Sequence, residues 1–165
     1  MTLEKDIQQK EFRSEPQKAI LNILFTCYFI QDQMNTVFKR YDITRQQYNV
    51  LRILRGQHPG HASVNLIRDR MLDKMSDASR IVERLRLKDL VTRKSAEHDK
   101  RAVEVTITES GLKLLDEMQG SIDEFEALLD NLSEQETMQL NGLLDKIREG
   151  KIETHELLRA EAALH

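Results

Sequence analysis

The sequence predicts a mainly α-helical fold carrying one small β-hairpin, and three observations lead there. Between Ser76 and Lys88, the residues Ala78, Ile81, Val82 and Leu85 recur at i, i+3, i+4 and i+7, the buried stripe of a short helix. Directly after it the period falls to two. Val91, Arg93 and Ser95 lead into AEHDK, and Val103, Val105 and Ile107 lead out, which reads as a hairpin with a charged tip. Two shorter helical stretches precede this pair from Thr44 onward. Helix, turn, helix, hairpin from Thr44 to Thr108 is the layout of a winged helix-turn-helix. Such a unit lays a helix in the DNA major groove, and its hairpin tip reaches an adjacent minor groove or the backbone.

The totals agree with this class. Of 165 residues, 32% are charged and 5% aromatic, with no Trp, two Pro and six Gly, a mix typical of a helical soluble protein, and the length suggests one domain, or one domain with helical extensions. The longest nearly apolar stretch, Ala19 to Ile30, is broken by Asn22 and Thr26 and is too short for a bilayer, so no membrane association is expected. The N-terminal MTLEKDIQQKEF lacks an apolar signal core, and a single cysteine makes no intrachain disulfide; both point to the cytoplasm. The net charge of −3 hides an asymmetry. Residues Asn65 to Arg101 hold 11 Lys and Arg against 7 Asp and Glu, +4, whereas Glu109 to His165 hold 5 against 14, −9. A basic module on an acidic body can bind DNA, although +4 alone also fits an ordinary solvated surface.

In order along the chain, residues 1–13 read as a frayed or docking arm. Ser14-x-x-Gln17 is a capping box with Pro16 in the first turn, starting a helix that runs to about Tyr41. Ile20, Ile23, Leu24, Cys27, Gln31, Met34 and Phe38 follow one face, and Leu21, Phe25, Tyr28 and Phe29 a second. A helix apolar around most of its circumference needs cover on more than one side, and in a small chain a partner subunit is the expected cover. Thr44-x-x-Gln47 is a clearer capping box, flanked by Ile43 and Tyr48 where a hydrophobic staple sits. The helix Arg45–Arg55 should bury Tyr48, Leu51 and Ile53 or Leu54. Gly56 stops it, and GQHPGHA is a loop. Ser63 caps a short helix through about Leu72, with Leu66, Ile67 and Met71 inward, and LDKM turns into the helix of Ser76 to Lys88. There Ser76 is the expected N-cap, with Asp77 placing negative charge in the first turn. Thr108 caps the next helix, in which Leu115, Met118, Ile122, Phe125, Leu129 and Leu132 are spaced like a coiled-coil seam; a single amphipathic helix on its own core is the alternative. Ser133-x-x-Glu136 opens a last helix with Met138, Leu140, Leu143, Leu144 and Ile147, ended or interrupted at Gly150. The expected organisation is an N-terminal arm and dimerisation helix over 1–43, the winged helix-turn-helix over 44–108, and C-terminal dimerisation helices and tail over 109–165.

ITRQQYNVLRIL, SDASRIVERLRLKDLV and DKRAVEVTITESG, with helices at both termini, resemble the multiple-antibiotic-resistance regulator (MarR) family of winged-helix repressors over about residues 14–150. The Asp99-x-Arg101 wing followed by Ile107, Thr108 and Gly111 is the most specific part. One departure is Asp89 in KDLV, where the family often has Gly; Asp adopts positive φ less easily, so the turn should survive at some cost. The resemblance implies a homodimer on a palindromic operator, with Arg101 in the minor groove, held by Asp99. It also implies a small aromatic or phenolic ligand between the dimer helices and the DNA-binding lobe, whose binding releases DNA. Tyr28, Gln31 and Tyr48 are candidates to line that cleft.

Arg80 and Arg84 are four apart and share a helix face, where guanidinium can pair bidentately with guanine or phosphate. The bland alternative is an intrahelical pair with Glu83 or Asp77. Ser76 and Ser79 suit close approach to phosphate at the helix start, although capping alone would explain Ser76. Lys74, Arg93, Lys94 and Lys100 are phosphate contacts or solvated charge. With Asp77, Asp99 and Arg101, these residues make up the candidate DNA-contact set. Cys27 sits among Phe25, Thr26, Tyr28 and Phe29 and reads as a packed, inert core thiol, with redox sensing as the alternative. His58 and His61 lack further ligands nearby, so no metal and no cofactor are expected. No phosphate-binding glycine loop, HExxH, G-x-S-x-G or CxxC is present, so an enzyme is not expected. Two rivals remain open: a redox- or metal-responsive regulator of the same fold, and a helical interaction module without DNA binding.

Overall fold

The computed structural model describes residues 2–95 and 103–149. The hairpin tip with Asp99, Lys100 and Arg101, and the tail from Gly150, lie outside the described residues. The chain divides into two compact units, one ending at Ser121 and one beginning at Ile122.

The first unit starts with a short helix α1 (Leu3–Asp6), whose Leu3 is buried. The Glu4 carboxylate lies 2.5 Å from Lys18 Nζ, so this arm is docked onto the next helix. That helix, α2 (Glu15–Arg40), starts at Ser14, whose Oγ accepts the Gln17 N–H at 3.3 Å. The Gln17 side chain accepts from Arg13 N–H at 2.7 Å rather than from Ser14, so the expected box is shifted by one residue. Val37 and Phe38 are buried, whereas Ile20, Leu24, Tyr28 and Phe29 of the same helix are 47–69% exposed. Cys27 is exposed as well, which corrects the expectation of a packed core thiol: the buried residues of α2, Val37 and Phe38, lie near its C-terminal end, and Cys27 is well before them.

In α3 (Arg45–Arg55) both arms of the Thr44–Gln47 capping box form, at 3.2 and 2.9 Å. Of the expected residues Leu51 and, of the two alternatives, Leu54 are buried; Gln47 and Val50 join them, and Tyr48 does not. Gln47 is tolerated inside because its side chain is spent on the box. Tyr48 is half-buried and stacks on Phe38, ring centroids 5.0 Å apart. Strand β1 (Ala62–Ser63) was not legible, since two residues show no period; it pairs antiparallel with β3 (Val103–Ile107), Ala62 opposite Val105. Ser63 Oγ accepts the Leu66 N–H at 3.1 Å and starts α4 (Val64–Arg70), which buries Ile67 and is followed by the buried Met71; Leu66 is half-buried.

Helix α5 (Ala78–Leu87) buries Ala78, Val82 and Leu85, with Ile81 half-buried, so the sequence stripe holds. Its N-cap is Asp77, not Ser76: Asp77 Oδ1 accepts the Arg80 N–H at 3.0 Å. Ser76 Oγ instead donates to Asp73 Oδ2 at 2.7 Å, so the cap moves one residue inward. Asp89 has φ of 58°, the left-handed turn its place in KDLV requires. Strand β2 (Val91–Ser95) then pairs with β3 from Val91 opposite Ile107 to Ser95 opposite Val103, giving a sheet of order β1-β3-β2. Thr108 Oγ1 accepts the Gly111 N–H at 3.1 Å and donates to the Asp89 carbonyl at 2.7 Å, tying α6 (Glu109–Glu117) to the turn after α5. A Cβ at Gly111 would collide with the Leu90 carbonyl and lie 2.7 Å from Ile107 Cγ1, so only glycine fits.

The expected seam from Leu115 to Leu132 is not one helix. It breaks at Met118, resumes as α7 (Gln119–Glu126), and tightens into a 3-10 turn at Ala127–Leu129. Leu115 and Met118 belong to the core of the first unit. In the second unit the Ser133–Glu136 capping box forms and opens α8 (Glu134–Arg148). Its Met138, Leu143 and Ile147 are 52–69% exposed.

Candidate nucleic-acid interface

The outward face of α5 is built by what its inward face buries. With Ala78, Val82 and Leu85 in the core, Ser79, Arg80 and Arg84 are exposed. The carboxylates that could have neutralised these arginines are committed elsewhere. Asp77 caps the helix, and Glu83 receives Arg86 Nη2 at 2.8 Å and Arg86 Nε at 3.1 and 3.2 Å. Arg93 Nη1, on β2, lies 3.8 Å from the same carboxylate. Among the described residues Arg80 and Arg84 form no ion pair, so the bland intrahelical pairing is replaced by an Arg86–Glu83–Arg93 clip. The hydrogen bond from Arg86 holds the Glu83 carboxyl below its ordinary range, so it is fully ionised near neutral pH. Unpaired guanidinium on one helix face suits base edges and phosphate alike.

The entry to α5 is fixed from outside the helix. Asn49 Oδ1 accepts the Leu72 N–H at 3.0 Å, and Asp73 accepts the Met75 N–H at 3.0 Å as well as the Ser76 hydroxyl. Ser76 donation to Asp73 pulls that carboxyl below its usual range. Lys74 Nζ donates to the Asp69 carbonyl, which points it back onto α4. At the other end Lys88 Nζ reaches Asp42 Oδ2 at 2.7 Å and also the Asp42 carbonyl, clipping the end of α5 to the link between α2 and α3. Arg86, Asn49, Asp73 and Asp42 were missed as supporting residues. Only the i, i+3 spacing of Glu83 and Arg86 was visible in the sequence.

Lys74, Ser76, Asp77, Ser79, Arg80, Arg84, Arg93 and Lys94 therefore cluster along α5, its entry turn and the hairpin strand beside it. Asp99, Lys100 and Arg101 lie outside the described residues. Of the ligand candidates, Gln31 and Tyr48 meet in a cleft of about 250 Å³ with Met34, Asn49, Arg52 and Leu72. Tyr28 is not part of it and is 69% exposed. Burial pushes the Tyr48 phenol up from its ordinary pKa, so it stays protonated at neutral pH. His61 Nε2 lies 3.4 Å from Glu104 Oε1, and among the described residues no three His, Cys, Asp or Glu stand together as a metal site. No helix among the described residues is long and apolar enough to cross a membrane.

Comparison with known proteins places this geometry. A model of the MarR family matches residues 41–102, the stretch from the end of α2 into the hairpin. The HTH-type transcriptional regulator MgrA of Staphylococcus aureus is 30% identical over 139 residues, covering 81% of this chain and 92% of MgrA. The crystal structure of a MarR transcription factor from Planctomyces limnophilus is 29% identical and superposes with a TM-score of 0.62 over 93% of this chain and 99% of that one. The S. aureus MepR–DNA complex shares the fold at 24% identity, with a TM-score of 0.69 over 83% of this chain and 97% of MepR.

Proposed function

The chain belongs to the MarR family of DNA-binding transcription regulators, and from that premise we propose that it is a homodimeric repressor whose α5 helices read the two halves of a palindromic operator. The observation that carries the reading is the exposed pair Arg80 and Arg84, without an ion pair among the described residues, on a helix whose own acids are committed to Arg86 and to the cap. A two-fold dimer presents two such helices to related half-sites. Arg101 enters the minor groove beside each, oriented by Asp99, while Arg93, Lys94 and Lys100 meet phosphate.

A small aromatic or phenolic ligand releases the DNA from the cleft holding Gln31 and Tyr48. That cleft is lined by α2, α3 and the Leu72–Asp73 turn leading into α5, so an occupant there bears on the helix that reads DNA. It acts only through tighter binding to the geometry that does not fit the operator. The regulator works in the cytoplasm, without a cofactor.

The test is a salt series of binding to the DNA upstream of the chain's own gene, against random DNA. Selective binding that weakens steeply with salt is expected. Arg80→Ala should cost about 1–3 kcal/mol on the selective site if the contact is to a base. Equal, weak binding to both DNAs by the wild type and the variant would contradict the reading. A redox-responsive version is favoured by one observation: Cys27 is exposed, its Sγ accepting from Gln31 Nε2 at 3.0 Å. It requires that peroxide change DNA affinity and that Cys27→Ser abolish the change.

A further inference from the structure

We propose that Glu83 occupies, in the free protein, the seat that a DNA backbone phosphate takes in the complex, and thereby restrains affinity for DNA of any sequence. The inference rests on the DNA-binding reading above. If α5 lies in a major groove and the hairpin tip in the adjacent minor groove, one sugar-phosphate strand separates the two grooves. That strand must cross the junction of α5 with the hairpin.

The junction is built to receive it. A cleft of about 310 Å³ there is lined by Glu83, Arg86, Arg93, Lys94, Ser95 and Val103. Three cations, a hydroxyl and one carboxylate thus line it, with Arg86 and Arg93 directly on the carboxylate. Glu83 sits on Arg86 in the forked geometry a guanidinium offers to a phosphate, with Oε1 at 2.8 Å from Nη2 and Oε2 at 3.1 Å from Nε. Its Oε2 also faces Arg93 Nη1 at 3.8 Å, so a single anion bridges helix and strand. Arg86 and Arg93 remain 45% and 41% exposed, which leaves their outer edges open to a second anion. A phosphodiester arriving there meets a carboxylate of the same charge already on the fork. Either the carboxylate swings away or the two anions share the arginines, and both lower the gain from the contact.

Glu83→Gln keeps the shape and removes the charge. In the full-length chain it should bind operator and random-sequence duplex more tightly by a similar factor, about threefold or more near 0.1 M salt. Its plot of log affinity against log salt should be steeper by about 1, one more phosphate neutralised. Arg86→Ala should weaken binding to both duplexes, and the double variant Glu83→Gln with Arg86→Ala should lose the gain. Asp116→Asn removes the same charge on α6, where Asp116 faces Arg55 at 3.5 Å, and should leave the salt slope unchanged. Unchanged or weaker binding by Glu83→Gln overturns the proposal and makes Glu83 a positioning residue for the two arginines. An equal gain in Asp116→Asn or in the double variant overturns it too, because the effect would then be net charge alone. If the wild type binds neither duplex at low salt, the DNA-binding reading itself has failed.

Discussion

The winged-helix core and the two long terminal helices solve the burial problem differently. In the core, Val50, Leu51, Ile67, Leu85 and Val105 are all at 0% exposure, and α3, α4, α5 and α6 each start on a capping side chain. In α2 and α8, residues of equal apolarity are left at 37–69%. Among the described residues the core is closed, whereas α2 and α8 each keep an open apolar face. Exposed apolar area of that kind costs roughly 25 cal/mol per Å², so faces this large are retained where something covers them. The proposed second copy is that cover, and it also supplies the second reading helix.

The strongest way to break this comparison is to charge the open face. Leu24→Asp with Phe29→Asp should leave the thermal unfolding of the core close to wild type while converting dimer to monomer. Operator affinity should then fall on the order of 100-fold to 10,000-fold, since two linked half-sites become one. Unfolding of the whole chain in the same variant would show that the Leu24 and Phe29 face of α2 supports the core as Val37 and Phe38 do. The reverse experiment strikes the finished region. Gly111→Ala drives a methyl group into the Leu90 carbonyl and Ile107 and should destabilise by about 1–3 kcal/mol, read by denaturant titration, with the oligomeric state unchanged.

Smaller effects sharpen the picture. Asp89 holds φ of 58° with a negative charge at the C-terminal end of α5, where the helix dipole disfavours it. Asp89→Gly relieves both and should stabilise by about 0.5–1 kcal/mol. The weakest effect is the docked arm. Lys18 holds the Glu4 carboxyl at about 2 against an ordinary 4.5. A depressed carboxyl contributes stability that is complete above 4.5 and is lost as pH falls toward 2. The protection of the residue 2–6 amides, taken relative to their intrinsic exchange rate at each pH, should therefore fall over that window, and Glu4→Gln should remove the dependence.

The same division explains what could be read in advance. Helix starts were legible because each is announced locally: Thr44 with Gln47, Ser63, Thr108, and Ser133 with Glu136 all cap as their spacing implied. Asp89 and Gly111 were legible through family resemblance and have physical reasons in the turn and the close approach. The cap at Asp77 was misread because Ser76 and Asp77 are both good caps, and the choice falls to Asp73, which takes the Ser76 hydroxyl. In α3 Leu51 and Leu54 were legible, whereas Tyr48 was placed inward because it is apolar enough for either face, and Gln47 is buried only through its box. β1 is too short to carry a pattern. Cys27 was misplaced because an apolar neighbourhood in sequence does not say whether the cover comes from the same chain. Of the candidate interface, the basic face was legible, but the Arg86–Glu83–Arg93 clip was not, since it depends on where β2 lies beside α5.

The most direct test of the central claim is the solution mass of the free, full-length chain by sedimentation equilibrium at micromolar concentration. The account predicts twice the 19.3 kDa of one chain, falling to one with Leu24→Asp and Phe29→Asp. A wild-type protein that stays at the mass of one chain and still binds its operator selectively would contradict it.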